Sequence, residues 1–334
     1  MDIVAVVNLR ARRGSQAVVR KLEAELPQAR VMASRSIDEV ASFVEAASPP
    51  ELVLSAGGDG TALGLLNTLR GALPTLGVLA LGTGNAWAHA TEAPPWRTAI
   101  EQVGRLARSG APTPLVRYRL VGVQGTTATG RPPLLAHYAG TGWDAEIIDD
   151  FHGQKQGPGL LPTSRRLGLA GYLHGVFTRT VPRNIMRGAA EVELINTGND
   201  ALTVDDRGKV VALPGGEHGK VLYRGPAGVC AAGTCPEWGF GFRAFPFARL
   251  RSDRFNMRVC SGGPAWAALH MRALWKGTHP YPNMHTWLLD GCRAVFSRPV
   301  PLQAGGDRLG HESVVDYTLS ERTVDLVDWR ALRS

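Results

Sequence analysis

The 334-residue sequence contains no run of about 18 apolar residues, so no segment reads as a helix that crosses a bilayer. Its opening stretch, Met1-Asp2-Ile3-Val4-Ala5-Val6-Val7-Asn8, lacks the basic region and small-residue cleavage site of a secretion leader and reads as a first strand. Cysteine is scarce. The four residues, Cys230, Cys235, Cys260 and Cys292, fit no zinc spacing and are too few for a disulfide scaffold. Free thiols in a reducing cytoplasm are the expectation. The histidines show no metal-binding spacing, and neither an internal repeat nor a long low-complexity tract is present. Acidic residues are outnumbered, 29 against 37 basic ones, for a formal charge of +8. That balance favours anionic partners such as nucleotides or acidic membrane surfaces. A nucleic-acid partner is not expected, because no recognition module is legible.

The first ~110 residues alternate strand and helix signals. Ile3 to Val7 is a β-branched run, Ser15 to Leu26 has helical spacing, and Ala29 to Ala33 reads as a second strand. Ser36 and Glu39 form a capping-box pattern ahead of the helical series Ile37, Val40, Ala41, Phe43 and Val44. Leu52 to Leu54 and Leu76 to Leu81 are buried-type strands, with Thr61 to Leu73 helical between them. Such alternation predicts a parallel sheet. Past residue ~112, Gly, Pro and Thr become frequent and strands follow one another without regular helices. The candidate strands there are Leu115–Val123, Leu134–Ala139, Ala190–Asn196, Lys209–Leu213, Lys220–Tyr223, Phe255–Cys260 and Cys292–Ser297, with one helix over Leu167–Phe177. Gln124–Pro133 and Gly198–Gly208 read as turns or loops.

The strongest chemical signal is Leu52-Val53-Leu54-Ser55-Ala56-Gly57-Gly58-Asp59-Gly60-Thr61, a strand emptying through glycines into a helix. Glycine lets backbone approach a ligand, and N–H groups at a helix start attract phosphate. A carboxylate in such a turn opposes phosphate, so Asp59 points to a metal or proton-transfer role. The alternative is a tight turn in which Asp59 is an N-cap. A second turn, Gly82-Thr83-Gly84-Asn85, follows the strand Leu76 to Leu81. Neighbouring parallel strands would bring both turns to one sheet edge, where α/β folds bind ligands. Asn85 could cap its helix, hold a ligand, or do both.

Together the two turns resemble the catalytic domain shared by diacylglycerol kinases, sphingosine kinases and bacterial lipid kinases. The Gly57–Thr61 turn is the hallmark of that family, and NAD kinases share it without the second turn. Asn8 stands where the family has Asn-Pro, with Leu9 for the proline and Gly14-Ser15 for the glycine loop. Ser34 occupies a position where the family has a Thr near the nucleotide. Ala139-Gly140-Thr141-Gly142-Trp143-Asp144-Ala145-Glu146 resembles the family's Gly-x-Gly-Phe-Asp-Ala segment. Gly239-Phe240-Gly241-Phe242 and Phe245-Pro246-Phe247-Ala248 resemble a later one. Ala86-Trp87 departs from the family's continuation of the second turn, and two further departures matter. Asp253, in Arg251-Ser252-Asp253-Arg254, is offset by one from a family Asp that organises magnesium. Gln303-Ala304-Gly305-Gly306-Asp307 replaces Gln-x-Asp-Gly-Glu, losing one acid to Gly305 and shortening the other to Asp307.

The resemblance implies an α/β domain of the NAD kinase and diacylglycerol kinase type over residues 1–112. It also implies a larger β-rich sandwich over 113–307 and a return of 308–334 to the first domain. It implies an ATP-dependent lipid kinase that uses Mg2+. Asn8, Ser34, Gly57, Gly58, Gly60, Thr61, Gly82, Thr83, Gly84 and Asn85 would hold the nucleotide. Asp59, Asp144 and Asp307 would serve catalysis, with Asp59 and Asp253 at the metal. Arg179, Arg183, Arg187, Arg243, Arg249, Arg251, Arg254 and Arg258 make the second half basic, which suits peripheral contact with an anionic membrane. Solvated strand faces explain the same arginines. Arg10, Arg12 and Arg13 follow the first strand and could face phosphates or solvent. Trp238, Phe240, Phe242, Phe245 and Phe247 could line a lipid pocket or fill a core. A homodimer is left open. The competing readings are a nucleotide-binding pseudokinase, which Gly305 and the Asp253 offset keep alive, and an NAD kinase-like enzyme.

Overall fold

The computed structural model describes residues 1–11, 13–45, 50–69, 73–128, 132–143, 145–148, 187–278 and 281–333. The helix expected over Leu167–Phe177, and Arg12, Asp144, Arg179 and Arg183, lie outside the described residues. The chain divides into two compact units. One comprises Met1–Arg119, Gly239–Gly241 and Glu321–Ser334; the other comprises Leu120–Trp238 and Phe242–Ser320.

The first unit is α/β. Its elements are β1 (Ile3–Asn8), α1 (Gln16–Glu25), β2 (Arg30–Ser34), α2 (Ile37–Glu45), β3 (Leu52–Gly57), α3 (Asp59–Thr68), β4 (Thr75–Ala80), α4 (Ala86–Ala90) and α5 (Trp96–Ser109). The strands pair in parallel in the order β2-β1-β3-β4. A C-terminal strand adds at the edge through Leu326 opposite Leu76. Strand order reverses between β1 and β3, which places a topological switch point beside the ends of those strands. Ile3, Ala5 and Val7 join Val18 and Leu22 of α1 and Ala99, Ile100 and Val103 of α5 in one buried cluster that also takes in Trp329. The alternate side chains Val4, Val6 and Val53 are equally buried. Both faces of the sheet are therefore covered, as an all-parallel sheet requires.

The second unit is antiparallel and β-rich. In chain order its elements are β5 (Leu115–Gly125), β6 (Leu134–Ala136), β7 (Tyr138–Gly142), β8 (Ala190–Asn196), β9 (Leu202–Val204), β10 (Val210–Ala212), β11 (Val221–Ala227), β12 (Val229–Gly233), β13 (Phe255–Cys260), α6 (Pro264–Leu269), α7 (Met271–Lys276), β14 (Met284–Leu289), β15 (Gly291–Ala304) and β16 (Asp307–Val327). β5 begins and β16 ends in the first unit.

Several expectations change. Leu134–Ala139 is not one strand. The chain switches partners at His137, β6 pairing with β5 while β7 pairs with β12 and β15. Cys292–Ser297 lengthens to the whole of β15, because its first half pairs with β8 and its second half with β7 across a register shift. The loop expected over Gly198–Gly208 contains β9, and the one over Gln124–Pro133 begins inside β5. α3 ends at Thr68, short of Leu73.

His137 is fully buried, its ring edge-on to Tyr138 at 4.6 Å. Burial pushes its pKa down from 6.5 to about 3. The unfolded chain takes up a proton below its own, higher pKa, and the folded chain does not. Stability from this residue is thus complete above pH 6.5 and falls as pH drops toward 3. The slope is about 1.4 kcal/mol per pH unit. Thermal unfolding followed from neutral to acid pH is expected to show a shallower decline for His137→Phe than for wild type. Equal slopes would contradict this assignment.

Candidate functional site

The carboxyl ends of β1, β2, β3 and β4 form one edge of the parallel sheet, with Asn8 opposite Ser34, Val7 opposite Ala56, and Gly57 opposite Ala80. Both glycine turns leave from this edge and touch. A Cβ on Gly58 would lie 2.8 Å from the Gly82 Cα, and a Cβ on Gly82 would lie 2.6 Å from the Gly58 Cα. Two backbones in contact leave no room for any side chain at either position, which is a reason for glycine independent of φ.

A carboxylate fastens the turns. Asp59 stands in the first turn of α3 and is 7% exposed. It accepts the Ala86 N–H at 2.7 Å and the Trp87 N–H at 3.1 Å, one on each oxygen. These donors open α4, so Asp59 caps the helix after the second turn, whereas the cap considered from sequence was the start of its own helix. Hydrogen bonds to a charged acceptor contribute about 1.5–3 kcal/mol each. Asn85 completes the second turn. It sits at φ 54°, a left-handed conformation that Asn tolerates. Its Oδ1 accepts the Gly82 N–H at 2.9 Å, and its Nδ2 donates to the Gly82 carbonyl at 3.1 Å.

The other predicted nucleotide residues are also engaged locally. Asn8 Nδ2 donates to Thr61 Oγ1 at 2.7 Å, and Asn8 Oδ1 accepts the Arg10 N–H at 2.8 Å. Thr61 packs so closely on Gly57 that a Cβ there would meet its hydroxyl at 2.2 Å. The loop after β1 is tied to the end of β4 by the Arg13 N–H on the Leu81 carbonyl at 3.1 Å. Gly14 is required in that loop, since a Cβ would lie 2.0 Å from the Asn8 carbonyl oxygen. Ser34 Oγ donates to Glu39 at 2.6 Å and accepts the Ser36 N–H at 2.9 Å. The Ser36–Glu39 capping box is half formed: Ser36 Oγ accepts the Glu39 N–H at 3.5 Å, while the Glu39 side chain goes to the Ser34 hydroxyl.

One contributor was read from sequence only as a lipid-pocket or core residue. Phe240, at φ 55°, donates its N–H to the Gly84 carbonyl at 2.9 Å, and a Cβ on Gly239 would lie 3.2 Å from the Gly84 Cα. The Gly239-Phe240-Gly241 pattern was the available signal, but nothing local to it names Gly84 as its partner.

In the second unit, Asp307 is exposed at the start of β16, opposite Ala304. Gly305 and Gly306 have φ 57° and 91°, a two-residue hairpin turn that needs positive φ at both positions. This turn explains glycine at 305. Asp253 is held by Arg251 at 2.7 and 2.8 Å and by Arg254 at 3.1 Å. Chiefly the Arg251 hydrogen bonds hold its carboxyl down to about 2. A divalent cation there would sit against two guanidiniums, so Asp253 does not fit a metal in this arrangement. Asp59, a carboxylate held by neutral backbone N–H donors at the glycine turns, is the better-suited oxygen donor. Among the described residues no group of three or more His, Cys, Asp or Glu forms a metal cluster. Arg258, expected on a basic surface, is buried and bonded to Thr286 Oγ1 and the Ala244 carbonyl.

Residues 3–114 match the family model of the diacylglycerol kinase catalytic domain, a span that includes both glycine turns. No curated protein matches the chain. Among solved structures, a diacylglycerol kinase from Bacillus anthracis str. Sterne is similar at TM-score 0.59 and 13% identity, covering 98% of this chain and 96% of that one. An NAD kinase from Archaeoglobus fulgidus in complex with ATP is similar at TM-score 0.51 and 12% identity, covering 97% and 93%. Yeast NADH kinase complexed with NADH is similar at TM-score 0.51 and 13% identity, covering 99% and 86%. The fold is that of diacylglycerol kinases and NAD kinases, and the catalytic-domain match is to a kinase family.

Gly82→Ala is expected to force the two turns apart and destabilise the protein by about 1–3 kcal/mol. Gly263→Ala, where a Cβ meets nothing within 4 Å, is the neutral control. Chemical denaturation of both variants checks this; equal stability would mean that the turns tolerate separation.

Proposed function

We propose that this protein is an ATP-dependent lipid kinase that phosphorylates a hydroxyl of a lipid such as diacylglycerol or a sphingoid base. The observation that carries the reading is the Asp59 carboxylate joining Gly57–Thr61 to Gly82–Asn85 at the carboxyl edge of a parallel sheet. The family match over residues 3–114 supports it. The ATP in the Archaeoglobus NAD kinase structure supports ATP as the nucleotide.

Phosphoryl transfer asks a protein mainly for positioning and charge neutralisation. On this reading the backbone N–H groups of the glycine turns face the phosphates. Asn8, Ser34, Thr61, Thr83 and Asn85 shape the turns and loops around them. Magnesium bound at Asp59 would neutralise charge on the phosphate oxygens. Asp307 or Asp59 accepts the proton of the lipid hydroxyl, and Asp144 orients the head group or the metal network. Among the described residues no helix is long and apolar enough to cross a membrane. On this reading the protein is cytoplasmic and meets its lipid by peripheral contact, which its surplus of basic residues supports. A nucleotide-binding protein without transfer is the second reading, favoured by the glycine that the hairpin turn installs at position 305.

Incubation with labelled ATP, magnesium and mixed micelles of diacylglycerol, sphingoid base or ceramide is expected to give labelled lipid. Asp307→Asn is expected to lower kcat by about a hundredfold or more while leaving ATP affinity intact. Label on NAD alone would move the assignment to an NAD kinase-like enzyme. ATP binding without any labelled product would favour the second reading.

A further inference from the structure

The helices α6 and α7 of the β-rich unit bury very little. No residue of α6 is buried, and Leu274 is the only buried residue of α7. Leu269 is 82% exposed and Met271 36%, on either side of His270, where one helix ends and the next begins. Leu269 is the most exposed large apolar side chain among the described residues. A leucine this exposed forgoes up to roughly 1.5–3 kcal/mol that burial would return, and with Met271 beside it the helix junction presents an apolar patch.

The base beneath this patch is anchored. The rings of Trp266 and His270 lie 4.7 Å apart, and each meets Tyr281 edge-on at 5.4 Å. The Trp275 carbonyl accepts the Arg243 N–H at 3.0 Å, and its ring meets Phe242 edge-on at 5.4 Å. Charge identifies what this patch fits. From Phe255 to Leu289 the sequence contains no Asp or Glu, and the exposed charges on the two helices are Arg272 and Lys276. Neighbouring Arg243 has Glu237 at 3.7 Å, whereas Arg272 and Lys276 have no ion-pair partner among the described residues. An apolar tip flanked by uncompensated cations suits the boundary of an anionic bilayer, with apolar side chains at the acyl region and cations at the phosphates. A second copy of this chain would bring the same cations and repel.

We propose that the α6–α7 hairpin is a membrane-docking element. Leu269 and Met271 enter the headgroup–acyl boundary of an anionic bilayer, and Arg272 and Lys276 contact its phosphates. This deepens the lipid-kinase reading and rests on it for the choice of a bilayer as occupant.

Flotation of the full chain with vesicles tests it, using phosphatidylcholine alone and an equal mixture of phosphatidylcholine and phosphatidylglycerol. Binding is expected on the mixed vesicles and to weaken with added salt. Arg272→Ala and Lys276→Ala are each expected to weaken it about fivefold, and Leu269→Glu about tenfold or more. Phosphorylation of a water-soluble short-chain diacylglycerol, measured in parallel, is expected to be unchanged in these variants. Absence of that activity in wild type would count against the kinase reading and leave the docking result standing. Docking is overturned if wild type binds neither vesicle, or if the variants bind as wild type does. It is also overturned if Leu269→Glu converts a dimer to a monomer in sedimentation without changing vesicle binding.

Discussion

The Asp59 carboxylate is the constraint on which the carboxyl edge of the α/β unit's sheet depends. Two turns from separate strands meet so closely that only backbone separates them, and the N–H groups that open α4 would otherwise face a helix start without a cap. One buried acid answers both needs. Its charge complements the positive end of α4 and its two oxygens set the spacing of the turns. Asn85 in its left-handed conformation, Asn8 on Thr61 and Phe240 on Gly84 then fix the remaining loops around that core.

This arrangement changes how the acid is understood. Sequence alone suggested a metal or proton-transfer role because a carboxylate opposes phosphate. The hydrogen bonds add a positioning role, since the charge is spent first on backbone donors. The two roles are compatible, since a carboxylate oxygen can accept a hydrogen bond and contact a cation at once. Both predict looser nucleotide binding when the acid is removed, the clamp under any conditions and the metal role only with magnesium present.

Much of the first unit was legible because its signals are local. A β-branched run, a capping pattern and a strand emptying into glycines each declare themselves within ten residues, and β1, β3, α1 and α2 lie where those signals place them. β8 and β13 coincide with the expected Ala190–Asn196 and Phe255–Cys260. What stayed hidden depended on partners far along the chain. The break at His137 comes from a change of neighbouring strand, and the length of β15 from its pairing with two different strands. Gly239 and Phe240 reach Gly84 across more than a hundred residues. Asp253 kept its identity in the sequence pattern but not its expected surroundings, because Arg251 and Arg254 flank it in the chain and take both its oxygens. The α6–α7 pair evaded a periodicity reading for another reason: Leu274 is its one buried residue, so no amphipathic stripe marks it as part of the fold.

Calorimetric titration of ATP into the Asp59→Asn protein, beside wild type, tests the clamp most directly. The amide keeps the size of the side chain but offers one acceptor where two backbone donors need two. The account predicts ATP binding weakened by about tenfold or more, the equivalent of one lost charge-assisted hydrogen bond. Binding as tight as wild type, or tighter, would show that Asp59 does not hold the turns together.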